Sequence, residues 1–202
     1  GHVFPGIAVA EELKRIRPEC GIVFVGTRRG LEAQAVPEAG FPIRFVAGCG
    51  FSRARWWTWP WAAVVNLVGL LQALVLVLTE NPSVVLGTGG YVSAPISFAA
   101  RLLGRPLILQ EQNSVPGLAN RLLSRIASEV HLSFLEARTY FSRRDHLKVT
   151  GNPVRAHILT GDREAALREF KLEPGRPTLF VFGGSLGASR INEAALDMLR
   201  RL

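Results

Sequence analysis

What most constrains this chain is a regular alternation of short β-branched runs with longer stretches of helical period. The runs are Ile22 to Val25, Pro42 to Val46, Ser83 to Leu86 and Pro106 to Leu109; around them lie Gly6 to Ile16, Arg29 to Ala39, Val64 to Thr79, Val92 to Leu103 and Val115 to Ala127. Short, continuously apolar runs predict strands buried on both faces, and apolar residues three and four apart predict the helices that cover them. The expectation is an α/β fold with a parallel sheet and crossover helices. The rhythm continues through Glu129 to Ser133 and Leu147 to Thr150, then breaks at Gly151-Asn152-Pro153, where turn-forming residues interrupt it.

A domain boundary is placed at that break, with residues 1–152 as a Rossmann-like domain and 153–202 as a hinge and the start of a second domain. The sequence opens on Gly1-His2 without a methionine and closes inside a helical pattern, Ile191 to Leu202. The first domain is therefore expected to lack its first strand and the second to be truncated. In the second, a helix is predicted over Asp162 to Phe170, a turn at Pro174-Gly175, a strand over Thr178 to Phe182 and a helix from Ala188. One strand and one helix cannot bury their own apolar faces.

Charge and cysteine content narrow the function. A net charge of +8 favours an anionic partner. There is no zinc-finger spacing, no aromatic RNA-binding strand and no uniformly basic helix, so nucleic acid is not the expected one. Cys20 and Cys49 are the only cysteines and form neither a C-x-x-C pair nor a Cys/His cluster. They read as reduced thiols, and no metal site is expected.

A glycine-rich turn leads into a helix at three places: Gly1-His2-Val3-Phe4-Pro5-Gly6, Gly87-Thr88-Gly89-Gly90-Tyr91, and Gly183-Gly184-Ser185-Leu186-Gly187-Ala188. Glycine lets a backbone approach a ligand closely, and the free N–H groups of the following helix favour an anion. None is a Walker loop or a complete dinucleotide fingerprint. In open parallel sheets such turns sit at the carboxyl ends of the strands, where ligands bind.

The first ten residues, Gly-His-Val-Phe-Pro-Gly-Ile-Ala-Val-Ala, resemble the first glycine loop and helix of the MurG family of N-acetylglucosaminyltransferases. Four further segments agree in order and spacing: Val85 to Ser93, Glu111-Gln112-Asn113, Gly151 to Arg155, and Gly183 to Asn192. The family usually has His where this chain has Gln110, and Gln where it has Leu186. The resemblance implies a GT-B glycosyltransferase of two Rossmann-like domains. It implies inverting transfer of N-acetylglucosamine from UDP-GlcNAc to the C4 hydroxyl of the muramyl sugar of lipid I, an undecaprenyl-pyrophosphate-linked acceptor, giving lipid II of peptidoglycan synthesis.

On the same footing His2 is the candidate base, with ordering of the first loop or a phosphate contact as the other reading. Gly1, Asn113, Arg155 and Ser185 are the UDP-GlcNAc candidates, Arg155 being alternatively an interdomain ion pair. Gly89, Gly90, Tyr91, Glu111 and Gly184 fall on acceptor and phosphate loops, with helix capping as the other reading of Glu111. The aspartates Asp145, Asp162 and Asp197 are far apart, so no Asp-x-Asp metal motif is present and no cofactor is expected beyond the sugar nucleotide. The chain alone is expected to be inactive.

From Trp56 to Thr79 there is no charged residue. The stretch approaches the roughly 20 apolar residues that span a bilayer, but Pro60, Asn66, Gly69 and Gln72 interrupt it. A helix lying at an anionic membrane surface is the better reading, with Trp56, Trp57, Trp59 and Trp61 as interfacial rings and Arg53 and Arg55 as headgroup contacts. A buried crossover helix is the other reading. The implied location is peripheral, on the cytoplasmic face of the bacterial inner membrane.

Three rivals remain from the sequence. Gly183 to Gly187 satisfies G-x-S-x-G, the nucleophile elbow of α/β-hydrolases, although no histidine follows it. A lipid glucosyltransferase or a sugar-nucleotide epimerase would share the architecture. A non-catalytic membrane-binding module is the third.

Overall fold

The computed structural model describes residues 2–50, 57–183 and 188–201. They fall into two compact units, His2–Ala156 and the residues from His157 onward. In the first, helices and parallel strands alternate: α1 (Val3–Ile16), β1 (Phe24–Gly26), α2 (Glu32–Glu38), β2 (Ile43–Phe45), α3 (Trp59–Glu80), β3 (Val85–Gly87), α4 (Ser93–Leu102), β4 (Leu107–Glu111), α5 (Leu118–Leu123), β5 (Glu129–Leu132) and β6 (Leu147–Val149). A 3₁₀ helix over Leu135–Tyr140, which the hydrophobic pattern did not announce, joins β5 to β6.

Strands β3, β4, β5 and β6 lie side by side in sequence order, all parallel. Their register pairs Val85 with Leu107, Ile108 with Glu129 and Val130 with Leu147. A second parallel pair joins β1 to β2, Phe24 opposite Ile43. The carboxyl ends of β3 to β6 consequently lie along one edge, where Gly87, Glu111, Leu132 and Val149 hand over to their loops.

Burial follows from the crossovers. Leu107, Leu109, Val130 and Leu132 are fully buried against Leu123, Ala127, Ala137 and Phe141. A second cluster packs Ala73 and Val77 of α3 on Ile96 and Ala99 of α4, and a third packs Ile7 of α1 on Ala35 and Val36 of α2. Burying a Leu or Val side chain stabilises by about 1.5–3 kcal/mol, so these clusters dominate the stability of the unit.

Helix α3 shows how one sequence serves two surfaces. Pro60 occupies its first turn, where the missing N–H costs nothing, which starts the helix five residues before the apolar periodicity does. Asn81, in the left-handed conformation at φ 45°, ends it. Ala62, Gly69, Ala73 and Val77 form its buried stripe. The polar residues within it are spoken for: Asn66 Oδ1 accepts from the Cys49 N–H at 3.3 Å, Asn66 Nδ2 donates to the Cys49 carbonyl at 3.1 Å, and Gln72 Oε1 accepts from the Ala47 N–H at 2.6 Å. The opposite side exposes Val64, Leu67, Val68, Leu71, Val75 and Leu78.

The second unit contains α6 (Ala156–Leu159) at its junction, α7 (Arg163–Glu169) and α8 (Ser189–Leu199). Asp162 caps α7, its carboxylate accepting from the N–H groups of Glu164 and Ala165 at 2.9 and 3.2 Å. The strand predicted over Thr178 to Phe182 does not form. Its side chains are exposed, Phe180 and Phe182 stacking at 5.0 Å, and α8 buries none of its residues. A strand needs a neighbour for its backbone donors and acceptors. The described residues of this unit contain none.

Gly69 gives a direct test of the α3 contact. A Cβ there would collide with the Ala47 carbonyl oxygen, far inside contact distance. Gly→Ala in a helix interior ordinarily gains about 1 kcal/mol, but such a collision with backbone outweighs it. Gly69→Ala is expected to destabilise by about 1–3 kcal/mol net, read as a lower urea midpoint; a raised midpoint would show that the helix does not press on residue 47.

Candidate functional site

The site is assembled where the carboxyl edge of the four-stranded sheet meets the start of α1. Gly89 and Gly90, after β3, adopt φ angles of +103° and +80°, which side-chain-bearing residues rarely take. Space demands glycine as well, because a Cβ on Gly89 would lie 2.9 Å from His2 Nδ1 and 3.3 Å from Asn120 Nδ2. The bare backbone of this turn is thus the seat of the His2 ring. Ser93 Oγ secures the turn by donating to the Gly90 carbonyl at 2.9 Å. Tyr91 follows, half exposed, with its ring against Gly48 and Gly50.

His2 stands at the N-cap position of α1 but its side chain does not cap the helix. Its Nδ1 lies 3.1 Å from the Thr88 carbonyl oxygen and 3.1 Å from Gln112 Oε1. Gln112 in turn donates from Nε2 to the Thr88 carbonyl at 2.9 Å and to the Gln110 carbonyl at 3.3 Å. Among the described residues no side chain caps the start of α1, and no acidic residue lies in its first turn. Such an end favours an anion.

Arg155 adds a cation there. Its guanidinium lies 5.2 Å from the centre of the Phe4 ring, and its Nε is buried without a hydrogen-bond partner among the described residues. A buried donor left unpaired costs about 1–3 kcal/mol, a penalty that an anionic ligand would remove.

The end of β4 supplies the other wall. Glu111 is 1% exposed, and its carboxylate accepts four hydrogen bonds: from Asn113 N–H at 3.0 Å, Asn113 Nδ2 at 2.9 Å, Gly117 N–H at 3.1 Å and Asn120 Nδ2 at 2.9 Å. Its carboxylate thereby holds the 112–117 loop. Asn113 is exposed and donates from its amide nitrogen to Glu111. Gln110, buried, donates to Ser133 Oγ at 3.3 Å and the Gly151 carbonyl at 3.2 Å. In both bonds the amide nitrogen is the donor.

The structure therefore gathers His2, Gly89, Gly90, Glu111, Asn113 and Arg155 within one unit. Gly1, Gly184, Ser185, Arg53, Arg55, Trp56 and the Leu186 departure lie outside the described residues. Thr88, Gln112 and Asn120 take part without having been singled out. The first two sat inside motifs already noted, but a backbone carbonyl has no sequence signature, and Asn120 gave no signal at all. No group of His, Cys, Asp and Glu among the described residues is arranged to hold a metal ion.

Hydrogen bonds from Arg15, Lys148 and Arg143 hold Glu12, Glu129 and Asp145 below the usual carboxylate range, Asp145 at about 2. All are surface groups. A cavity of about 510 Å³ bounded by Phe98, Arg101, Leu102, Arg125, Ile126 and Arg143 lies by the residues that enter β5 and β6, at the opposite edge of the sheet.

Glu111→Gln is expected to destabilise by about 3 kcal/mol, since the amide nitrogen would oppose donors that now have an acceptor. Loss of the buried charge returns only part of this. A denaturant midpoint unchanged within error would show that the carboxylate does not anchor the loop.

The family description that matches this chain is the glycosyltransferase family 28 N-terminal domain, over residues 1–132. A relative from Chlorobaculum parvum, named UDP-N-acetylglucosamine--N-acetylmuramyl-(pentapeptide) pyrophosphoryl-undecaprenol N-acetylglucosamine transferase, is 45% identical over 207 residues, covering 100% of this chain and 56% of the relative. One of the same name from Moorella thermoacetica is 45% identical, covering 100% of this chain and 54% of its own. The chain thus spans about half the length of the curated relatives it matches. The crystal structure of Acinetobacter baumannii MurG superposes with a TM-score of 0.70 at 29% identity, over 100% of this chain and 52% of that one. Anabaena HepE, solved with UDP, shares the fold at 11% identity, with a TM-score of 0.56 over 83% of this chain and 45% of that one.

Proposed function

We propose that this chain, which belongs to glycosyltransferase family 28, carries the acceptor side of a GT-B enzyme that makes a lipid-linked disaccharide. The reaction is transfer of N-acetylglucosamine from UDP-GlcNAc to the C4 hydroxyl of the muramyl sugar on an undecaprenyl-pyrophosphate carrier, the chemistry in the names of its relatives. Residues 153–202 are read as the hinge and the beginning of the donor domain. The observation that carries the reading is the seating of His2 on the Gly89-Gly90 turn beside the uncapped start of α1. A base and an anion-binding helix end then stand together at the ligand edge of a parallel sheet.

In this reading His2 takes the proton of the C4 hydroxyl as its oxygen attacks the anomeric carbon, a single in-line displacement that inverts the configuration. Arg155 and helix N–H groups neutralise phosphate charge. Asn113, with Gly1 and the Ser185 loop, contributes to the sugar-nucleotide side.

The membrane reading rests on α3. By length and composition its 22 residues qualify to cross a bilayer. Its Ala62 to Val77 stripe is packed and its Asn66 and Gln72 are tied to residues 47 and 49, which favours a helix lying on the surface instead. Trp57, Trp59 and Trp61 are exposed at its start, and Phe98 and Leu102 on the adjoining α4 lie beside Arg101, Arg125 and Arg143. Apolar side chains next to cations suit the anionic cytoplasmic face of a bacterial plasma membrane.

Two measurements test this. The complete protein, given UDP-GlcNAc and a short-chain lipid-pyrophosphate muramyl acceptor, is expected to form the disaccharide, with His2→Ala lowering kcat about 10²- to 10⁴-fold. A free epimerised nucleotide as product, or no disaccharide here but glucosylation of diacylglycerol when UDP-glucose and diacylglycerol are supplied instead, would overturn the assignment. Sedimentation with vesicles containing anionic lipid is expected to fall strongly in a Leu67→Asp, Leu71→Asp variant and in high salt; binding unaffected by both would remove α3 from the membrane surface.

A further inference from the structure

The two ring nitrogens of His2 stand in different surroundings. Facing Nδ1 at 3.1 Å is the Thr88 carbonyl oxygen, which can only accept a hydrogen bond. The other neighbour, at 3.1 Å, is the Gln112 amide, which in general presents either its oxygen or its nitrogen. Its far end decides the orientation. That end meets the carbonyl oxygens of Thr88 at 2.9 Å and Gln110 at 3.3 Å, both of which require a donor. Turning the amide over would set its oxygen against two others, so Oε1 faces His2.

Both groups before Nδ1 are therefore acceptors. A neutral imidazole carries one N–H, and these two oxygens draw it to Nδ1. Nε2 is left with its lone pair.

We propose that Gln112, together with the Thr88 carbonyl, is a positioning element that holds His2 in the Nδ1–H tautomer, so that Nε2 is the atom that accepts the proton of the acceptor hydroxyl. This rests on the reading of His2 as the base. In the step itself the C4 O–H proton moves to Nε2 and the C4 oxygen bonds to the anomeric carbon. The bond from that carbon to the UDP oxygen breaks, with its electron pair leaving on the phosphate. The imidazolium so formed keeps its Nδ1–H on two carbonyl dipoles.

The charged and titratable groups on the surrounding elements do not replace this arrangement. Glu111, next to Gln112, has its carboxylate bound by four donors of its own loop. Arg155 lies over the Phe4 ring. Tyr91 follows the Gly89-Gly90 turn and packs by Gly48 and Gly50. Gln112 is a neutral acceptor, so it orients the ring without placing a charge beside it.

The test is ¹⁵N NMR of histidine-labelled complete protein, with the His2 resonances assigned by difference from His2→Gln, alongside the pH dependence of kcat. Neutral His2 is expected to carry its proton on Nδ1. In Gln112→Leu a substantial Nε2–H population is expected to appear and kcat to fall roughly tenfold or more, with KM for UDP-GlcNAc within about twofold. In Gln112→Glu, which keeps an acceptor oxygen, the Nδ1–H tautomer is expected to persist while the acid limb of the kcat profile moves up by about one pH unit or more. An Nε2–H tautomer in the parent protein, or a tautomer and rate unchanged in Gln112→Leu, would overturn the proposal. An undiminished rate in His2→Gln would overturn the base reading beneath it. The NMR signal, which needs no turnover, tells that failure from failure of the tautomer lock.

Discussion

Much of the ligand edge depends on one buried carboxylate. Glu111 ends β4, where the sheet is covered on both faces, and an ionised group there is tolerated only because four N–H donors converge on it. Those donors belong to the loop after β4 and to α5, so the carboxylate that they satisfy also fixes the loop's path. Gln112 and Asn113 are held by this turn, one facing His2 and the other facing outward.

Close approach without side chains is the complementary device, and it recurs. At Gly89 the missing Cβ admits the imidazole of His2, and at Gly69 it admits the Ala47 carbonyl to the flank of α3. Both contacts place a polar group where a methyl would displace it. The first seats the His2 ring and the second binds a long apolar helix along one stripe, leaving the leucines and valines of its other side uncovered. One fold thus presents a polar edge at the carboxyl ends of its strands together with an uncovered apolar helix face.

How far these features were legible in the sequence varies with their range. Each strand expected in residues 1–150 forms within one or two residues of its run, because β-branched continuity and two-sided burial are local properties of a parallel strand. Helix α3 begins earlier than its periodicity because proline can open a helix whatever its hydropathy. Thr178 to Phe182 has a strand's composition but, among the described residues, no neighbour to pair with, and composition cannot supply one. In the site, His2, Gly89, Gly90, Asn113 and Arg155 were singled out in motifs. The tie between Gln112 and His2 spans 110 positions of sequence and escaped notice.

By itself, then, the amino-acid sequence determined the α/β rhythm, the glycine turns and the residue types gathered at the ligand edge, since these depend on local sterics and hydrophobic period. Tertiary structure decided which atoms those residues present. It turned Glu111 inward and gave Gln110 a place between Ser133 and Gly151. It set two carbonyl oxygens before Nδ1 of His2. The reason is that hydrogen-bond partners are chosen by where strands end and loops return in space, and distance along the chain carries no record of that.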